Sequence, residues 1–112
     1  MEFSSELIKG SVVPVVLALL RERPMYGYEM VKQVNARTKG KLQWREGTLY
    51  PTLHKLESEG LISSRWREAE RGRPRKYYSI TRTGRTELER RSGEWQEFTT
   101  SLNRLLALGG PS

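Results

Sequence analysis

Four cationic side chains within six residues form the densest concentration of one chemical type in this sequence. They are Arg71, Arg73, Arg75 and Lys76. Charges this close repel one another unless a polyanion neutralises them, so the pattern favours contacts to nucleic-acid phosphates over a merely solvated turn. The formal net charge of the chain is +7. Residues 63–78 hold six basic and two acidic residues, whereas residues 1–24 balance to zero, so the basic character is concentrated around this cluster.

Two pairs of tyrosines stand where they could extend a phosphate-binding surface. Tyr77 and Tyr78 directly follow the cationic cluster, and we expect one of them to pack into the core while the other presents its hydroxyl. Tyr26 and Tyr28 stand at the start of a predicted helix, whose free amides favour anions. Each of these two is either a core aromatic or a hydrogen-bond donor to phosphate, and the residues alone leave both interpretations open.

A third group of polar residues lies on a predicted helix between residues 47 and 62. Leucines at positions 49, 53 and 56 form the stripe of a helix that packs by one face. The residues off this stripe can face a groove of DNA: Thr48, Tyr50, Thr52, His54 and Lys55. Lys55 suits a phosphate or a guanine, and Thr52 suits a thymine methyl group. The sequence does not indicate which of them reads bases.

Most catalytic and metal-binding chemistry is excluded by composition. The chain has no cysteine and only one histidine, His54. Thiol nucleophiles, disulfides, zinc-thiolate sites and histidine-rich metal sites are therefore ruled out. No motif places a serine and a carboxylate around His54 as a catalytic triad requires. We expect no enzyme activity, no metal and no cofactor.

The longest apolar run, residues 12–20, is about half the length of a membrane span. It contains Pro14 and ends against Arg21, Glu22 and Arg23, which is typical of a buried helix. A signal peptide needs a basic start, and here Glu2 and Glu6 offset Lys9. We therefore expect no membrane partner and a cytoplasmic location.

The predicted elements begin with three helices. The first extends to Arg23 with Pro14 near its beginning, and the second covers residues 26–37. A short connecting strand is predicted at residues 42–44. The third helix is predicted to begin with Thr48 as its cap and Pro51 in its first turn, and to stop at Gly60 in a left-handed conformation, with Leu61 closing over Leu56.

A hairpin and a long helix complete the predicted order. The hairpin spans residues 62–80 around a tip at residues 69–74, with Ile62, Ser64 and Trp66 sharing one face of its first strand. Tyr78 and Ile80 share a face of the second strand. The last helix begins at the cap residue Thr81 and continues to about Leu108.

The last helix carries an incomplete heptad seam. Leu88, Trp95 and Leu102 recur every seven residues, Phe98 and Leu105 occupy the adjoining position, and Arg91 interrupts the pattern. Such a seam needs a second helix, either the first helix of the same chain or the same helix of another subunit. We favour a second subunit. The predicted dimer interface comprises Val12, Val16, Leu88, Trp95, Phe98, Leu102 and Leu105.

The order helix, helix, helix, hairpin is that of a winged helix-turn-helix. Its motifs are Tyr26-Gly27-Tyr28-Glu29, the segment from Gly47 to Leu53, the segment from Glu59 to Ile62, and the run Arg73-Pro74-Arg75-Lys76-Tyr77-Tyr78. Together these resemble the PadR family of bacterial transcriptional regulators, from about residue 10 to residue 105. The resemblance implies a fold that is mainly α with a small β-hairpin, with a winged helix-turn-helix domain at residues 1–80 and a C-terminal dimerisation helix and tail at residues 81–112.

The chain is similar to the short subfamily of PadR regulators, whose members are homodimers. Trp95 matches a tryptophan that flanks a pore at the dimer interface in multidrug-binding members and stacks on flat aromatic compounds. The resemblance thus implies a small aromatic ligand held by Trp95, Arg91, Glu94 and Phe98. It also favours a phosphate contact for Tyr77 or Tyr78.

These observations predict a homodimeric, sequence-specific DNA-binding regulator. We expect it to be a repressor that occupies a palindromic operator in double-stranded DNA and is released by a planar aromatic or cationic compound. Two alternatives stay open at this stage. One is a ligand- or protein-binding module without sequence-specific DNA binding, and the other is a nucleic-acid-binding protein that is indifferent to sequence.

Overall fold

Four helices and a three-stranded antiparallel sheet make up residues 3–68 and 71–107, the parts of the chain that the computed structural model describes. Ala69 and Glu70 of the predicted tip, and Leu108 at the predicted end of the last helix, lie outside these ranges. The elements in chain order are α1 (Ser5–Glu22), β1 (Met25–Tyr26), α2 (Gly27–Arg37), α3 (Glu46–Ser58), β2 (Ile62–Arg67), β3 (Arg75–Ile80) and α4 (Arg82–Leu106).

Helix α1 begins one residue after Ser4, whose hydroxyl accepts a hydrogen bond from the backbone N–H of Leu7 at 3.4 Å. The prediction that Pro14 lies near the start of this helix is wrong, because Pro14 is its tenth residue. Proline has no N–H, so the carbonyl of Gly10 loses its usual helical donor at this point. The helix continues because Val16, Leu17 and the leucines after them are buried in the core.

The sheet has the strand order β1-β3-β2. The short strand β1 was not predicted; it pairs Met25 with Tyr78 and Tyr26 with Tyr77. The strand predicted at residues 42–44 is wrong, since this segment is irregular. β1 already occupies the free edge of β3. Residues 42–44 are fixed instead by side chains: Trp44 is buried, and its backbone N–H donates to the Asn35 side chain at 3.4 Å.

Helix α3 begins earlier than predicted. Its cap residue is Arg45, and the backbone N–H of Thr48 donates to the carbonyl of Arg45 at 2.9 Å, so Thr48 is a helical residue and not the cap. Pro51 accordingly lies in the second turn. The predicted end of the helix is confirmed: Gly60 has φ +75°, and the N–H of Leu61 donates to the Leu56 carbonyl at 3.0 Å.

The hairpin of β2 and β3 pairs Ile62 with Ile80 and continues in register to Arg67 and Arg75. On the face that turns toward the helices, Ile62 and Tyr78 are buried as predicted. Trp66 shares that face but is 66% exposed. It lies opposite Lys76 near the distal end of the hairpin, so this face is not buried along its whole length.

Helix α4 begins at Thr81 as predicted. The Thr81 hydroxyl accepts a hydrogen bond from the N–H of Gly84 at 3.0 Å and lies 3.0 Å from the Leu61 carbonyl oxygen, to which it can donate. Gly84 is needed here, because a Cβ at this position would lie 2.0 Å from the Leu61 carbonyl oxygen. This close approach fixes the start of α4 against the turn that follows α3.

One hydrophobic core joins α1, α2, α3, the sheet and the first part of α4. Val12, Val16 and Leu88, three residues predicted for a dimer interface, are exposed by only 3%, 0% and 2% within the single chain. They therefore belong to the core of this chain and have no surface left for a second subunit. The first turns of α4 pack on α1, and its apolar side chains beyond Leu88 are exposed. Within the described ranges, no helix is both long and apolar enough to span a bilayer.

Candidate nucleic-acid interface

Helix α3 has one fully buried face and one exposed face. Leu49, Leu53 and Leu56 are completely buried, as the leucine stripe predicted. Of the five predicted residues off the stripe, Tyr50, His54 and Lys55 are exposed as expected, whereas Thr48 and Thr52 are half-buried. The Thr52 hydroxyl donates to the Thr48 carbonyl at 3.3 Å. Among these five, Tyr50, His54 and Lys55 are therefore the more accessible donors.

The ring of Tyr50 packs on Gly27 at the first turn of α2. A Cβ at Gly27 would lie 2.6 Å from the Tyr50 hydroxyl oxygen, so only glycine allows this contact. Partial burial, followed by the nearby Glu46 and Tyr78, raises the pKa of Tyr50. Its hydroxyl therefore stays protonated and can donate a hydrogen bond. The contact also fixes the start of α2 beside the exposed face of α3.

Two tyrosine rings flanked by two arginines lie on the outer face of the sheet. The guanidinium carbon of Arg75 lies 4.5 Å from the centre of the Tyr26 ring. The Tyr26 and Tyr77 rings meet edge to face at 5.5 Å, and Arg67 lies 4.8 Å from the centre of the Tyr77 ring. We refer to these four residues as the arginine-tyrosine ladder. Arg67 and Arg75 pair directly across the strands, so the sheet brings like charges together.

The tip of the hairpin presents further cations to solvent. Arg71 and Arg73 are exposed, and Gly72 has φ +86°, a left-handed conformation that glycine adopts without strain. In the described part of the chain, no carboxylate lies within 4.0 Å of any of the hairpin arginines. These arginines are at positions 65, 67, 71, 73 and 75. The hairpin therefore keeps its positive charge available for an anionic partner.

Glu57, which the sequence reasoning missed, connects α3 to the hairpin. Its carboxylate accepts a hydrogen bond from the Ser64 hydroxyl and lies 3.8 Å from the Nζ atom of Lys76. Lys76 is half-buried and also lies 5.5 Å from the Tyr78 ring centre. Lys76 thus has an internal partner, unlike the arginines at the tip. The available signal was an acidic residue in the last turn of a helix that is followed by a basic hairpin.

The four predicted tyrosines have different surroundings. Tyr78 is buried, and burial followed by the charge of Glu57 raises its pKa, whereas Tyr77 is half-buried in the ladder. This arrangement matches the expectation of one core tyrosine and one on the surface. Tyr26 is half-buried, and Tyr28 is 54% exposed with the Nζ atom of Lys32 5.5 Å from its ring centre. Neither of these two is a plain core residue.

A separate apolar groove of about 600 Å³ runs between α1 and α4. Of the four predicted ligand-binding residues, only Trp95 lines it. Arg91 is paired with Glu87 at 2.8 Å, Glu94 is paired with Arg90 at 3.4 Å, and Phe98 contacts the Trp95 ring at 6.3 Å between centroids. The sequence reasoning missed most of the lining, which includes Val15, Ala18, Leu42, Gln96 and Thr99. The sequence feature that indicates this lining is the spacing of Val15 and Ala18, which places both on one face of α1.

In the described ranges, no three histidine, cysteine, aspartate or glutamate side chains come together as a metal site would require. The exposed face of α3, the ladder and the hairpin tip combine hydroxyl donors with cations. Groups of these types contact phosphates and the edges of bases in protein–DNA complexes.

Comparison with known proteins identifies a family of transcriptional regulators to which the chain is similar. The family model described as the transcriptional regulator PadR-like family matches residues 16–90. A protein of Lysinibacillus sphaericus described as uncharacterized protein X is 34% identical over 93 residues, which is 83% of this chain and 85% of that protein.

Two solved structures show the same architecture. A transcriptional regulator from Clostridium thermocellum has a TM-score of 0.83 and 33% identity, and the match covers 91% of this chain and 96% of that one. A PadR family transcriptional regulator from Eggerthella lenta has a TM-score of 0.80 and 37% identity over 90% of this chain and 86% of that one. Together with the family match over most of the chain, these similarities show that the chain belongs to the PadR-like family of transcriptional regulators.

Proposed function

We propose that this protein is a homodimeric DNA-binding repressor that recognises a palindromic operator in the bacterial cytoplasm. The observation that carries the proposal is the position of the exposed face of α3 beside a hairpin whose arginines have no carboxylate partner within the described ranges. Family membership supports it, because the family consists of transcriptional regulators. A regulator of this kind needs no catalytic groups.

In this proposal α3 lies in the major groove and the hairpin follows the DNA backbone. Tyr50, His54 and Lys55 are exposed on α3, and we assign base contacts to them together with Thr48 and Thr52. Phosphate contacts are assigned to Tyr26, Tyr28, Tyr77, Arg71, Arg73, Arg75 and Lys76. Lys76 must first leave Glu57, so we expect its contribution to be smaller than that of the tip arginines.

The second half of α4 supports a dimer. Trp95, Phe98, Leu102 and Leu105 are 45%, 57%, 38% and 84% exposed, which is unusual for so many large apolar side chains on one helix. A second copy of α4 packed against this surface would remove it from water. The two copies of α3 could then enter successive major grooves about 34 Å apart.

The groove beside Trp95 supports a regulatory ligand. Its lining is largely apolar, and Trp95 offers a flat surface for an aromatic compound. A ligand held there acts only if it binds one dimer geometry more tightly than another, so release of DNA requires a spacing of the two α3 helices that mismatches the operator. Trp95→Ala should abolish quenching of intrinsic fluorescence by a planar aromatic dye and its effect on DNA binding, and normal release of DNA by the dye in this variant would contradict the ligand proposal.

The proposed function is tested by selecting bound fragments from the genome of the source organism with the purified protein. We expect the recovered fragments to share a short inverted repeat, because each subunit reads one half-site. Recovery of fragments with no common sequence would contradict a sequence-specific regulator. It would favour a nucleic-acid-binding protein that is indifferent to sequence.

A further inference from the structure

A second concave surface lies beside the first turn of α3, outside the interface described above. It has a volume of about 350 Å³ and is bounded by the start of α1, the loop after α2 and the start of α3. The backbone N–H of Phe3 donates to the carbonyl of Lys41 at 3.1 Å, which holds the segment before α1 against that loop. We call this the amino-terminal pocket, and its polar lining consists of Ser5, Lys9, Lys41, Gln43, Arg45 and Thr48.

The amino-terminal pocket is cationic and lacks a counter-charge in the described part of the chain. Lys9, Lys41 and Arg45 each line it, and none of them has a carboxylate within 4.0 Å there. The acidic residues of the adjoining helix ends, Glu6 and Glu46, form no ion pair with them. Three cations around one concavity repel one another, so the pocket favours an anion.

The neutral groups of the pocket also suit a phosphate. The hydroxyls of Ser5 and Thr48 and the amide of Gln43 can each donate a hydrogen bond. A phosphate group accepts several such bonds at once, together with the charge-assisted bonds of lysine and arginine. The chemical class of the occupant is therefore a phosphate.

The pocket is continuous with the helix that we place in the major groove. Thr48 lines the pocket and lies one turn before Thr52 on α3, where the two are joined by a hydrogen bond. A duplex that lies along the exposed face of α3 would therefore lie beside a residue that also lines the pocket. Its backbone is the phosphate source that this continuity brings closest.

We propose that the amino-terminal pocket binds a backbone phosphate of the same DNA duplex, beyond the bases that α3 contacts. This inference rests on the proposed function. It assigns Lys9, Lys41 and Arg45, none of which the sequence analysis singled out, as phosphate-positioning residues that fix the register of α3 in the groove. The hairpin holds the duplex on one side of α3, and the pocket holds it at the start of that helix.

The test compares the salt dependence of DNA binding in Lys9→Gln, Lys41→Gln and their double variant. Arg45 is left unchanged because it occupies the cap position of α3, where a substitution can alter the start of the helix. Arg104→Gln, which removes an exposed charge from the last turn of α4, is the matched control. Affinity is measured for a selected operator fragment and for a random duplex, and circular dichroism and thermal melting verify that each variant is folded.

Each lysine variant should lower the slope of log K against log salt by about 0.9 and weaken binding to both duplexes, whereas the control should match the wild type. Slopes equal to that of the wild type would overturn the inference. If the lysine variants keep the wild-type slope but Arg73→Ala/Arg75→Ala lowers it, the pocket inference fails and the proposed function stands. Absence of DNA binding by the wild type at low salt would overturn both.

A second measurement separates a DNA phosphate from a small phosphorylated ligand. Inorganic phosphate and ATP are titrated while the backbone amide signals of Lys41 and Gln43 are followed by NMR. We expect that neither compound shifts these signals in a saturable way at concentrations below that of the buffer salt. Tight binding of ATP that Lys41→Gln abolishes, together with an unchanged DNA salt slope, would show that the pocket serves a free ligand and would overturn the inference.

Discussion

Arg75 lies over the ring of Tyr26, with 4.5 Å between the guanidinium carbon and the ring centre. The two residues come from different strands, because Tyr26 ends β1 and Arg75 begins β3. Tyr77 supports the arrangement from the side by its edge-to-face contact with Tyr26. The contact therefore places a cation at a defined point on the surface before any partner arrives, which reduces the ordering that binding requires.

Replacing Tyr26 tests whether its ring or its hydroxyl matters for DNA binding. We expect Tyr26→Phe to weaken DNA binding by about 0.5–1.5 kcal/mol, because it loses the phosphate contact of the hydroxyl but keeps the ring that holds the guanidinium of Arg75. Tyr26→Leu should bind more weakly. In a double-mutant cycle with Arg75→Ala, the coupling between ring and cation should be about 0.5–1 kcal/mol. An equal loss for Tyr26→Phe and Tyr26→Leu would instead assign the role to the hydroxyl.

Two glycines of α4 should respond oppositely to substitution by alanine. At Gly84 the new Cβ would meet the Leu61 carbonyl oxygen at 2.0 Å and the Ile80 side chain at 2.8 Å. The backbone must shift, and we expect a loss of about 2–3 kcal/mol in the free energy of unfolding. At Gly93 nothing lies within 4 Å. Gly93→Ala should stabilise the protein by up to about 1 kcal/mol, since alanine favours helix. Urea denaturation measures both, and similar effects of the two changes would contradict the packing described at Gly84.

The proposed dimer is tested by placing charges on the exposed apolar surface of α4. We expect Phe98→Glu/Leu105→Glu to convert a dimer into a folded monomer, because two carboxylates would have to be buried without partners at the interface. Thr100→Glu, a change at an exposed polar position of the same helix, is the control and should stay dimeric. Analytical ultracentrifugation measures the masses. A wild-type protein that is monomeric at micromolar concentration would contradict the dimer.

The pair of Glu22 and Arg37 predicts a pH-dependent contribution to stability. Two hydrogen bonds of 2.6 and 2.7 Å from Arg37 hold the pKa of Glu22 below its ordinary value of 4.5. Because the folded pKa is the lower one, the stabilisation is complete above about pH 4.5 and disappears as the pH falls through the folded value. The effect is small, since both side chains are about half exposed.

Thermal melting of Glu22→Gln against the wild type measures this contribution. The variant should melt at a lower temperature at neutral pH, and the difference should vanish in acid below the folded pKa. Glu59→Gln, which removes an exposed carboxylate that forms no ion pair within the described ranges, is the matched control. A difference that is the same at every pH would contradict an ionic origin.

Local patterns were sufficient to predict most of the elements. The leucine stripe of α3, the stop at Gly60 and the cap at Thr81 each depend on residues close together in the chain, and all three are confirmed. Strand β1 was missed because two residues are too few to show the alternating pattern of a strand. It forms only because β3 offers a free edge. Pro14 was placed near the start of α1 because sequence alone does not reveal how much burial keeps the helix intact around it.

The candidate site was predictable by residue type but not by contact. The basic run and the tyrosines were identified from composition, yet the ladder depends on Arg67 and on a register that only the sheet defines. Glu57 was missed because its partners Ser64 and Lys76 lie on other elements. Leu88 fits a heptad seam equally well whether it faces α1 or a second subunit, and only the fold assigns it to the core.

Recognition of a DNA sequence by α3 and the hairpin is tested most directly by the affinity of the purified protein for its best selected genomic fragment and for a random duplex of equal length, at the same salt concentrations. We expect a preference for the selected fragment of at least about 10³-fold near physiological salt. Equal affinity for the two duplexes, with the same steep salt dependence, would show that α3 and the hairpin do not read the sequence.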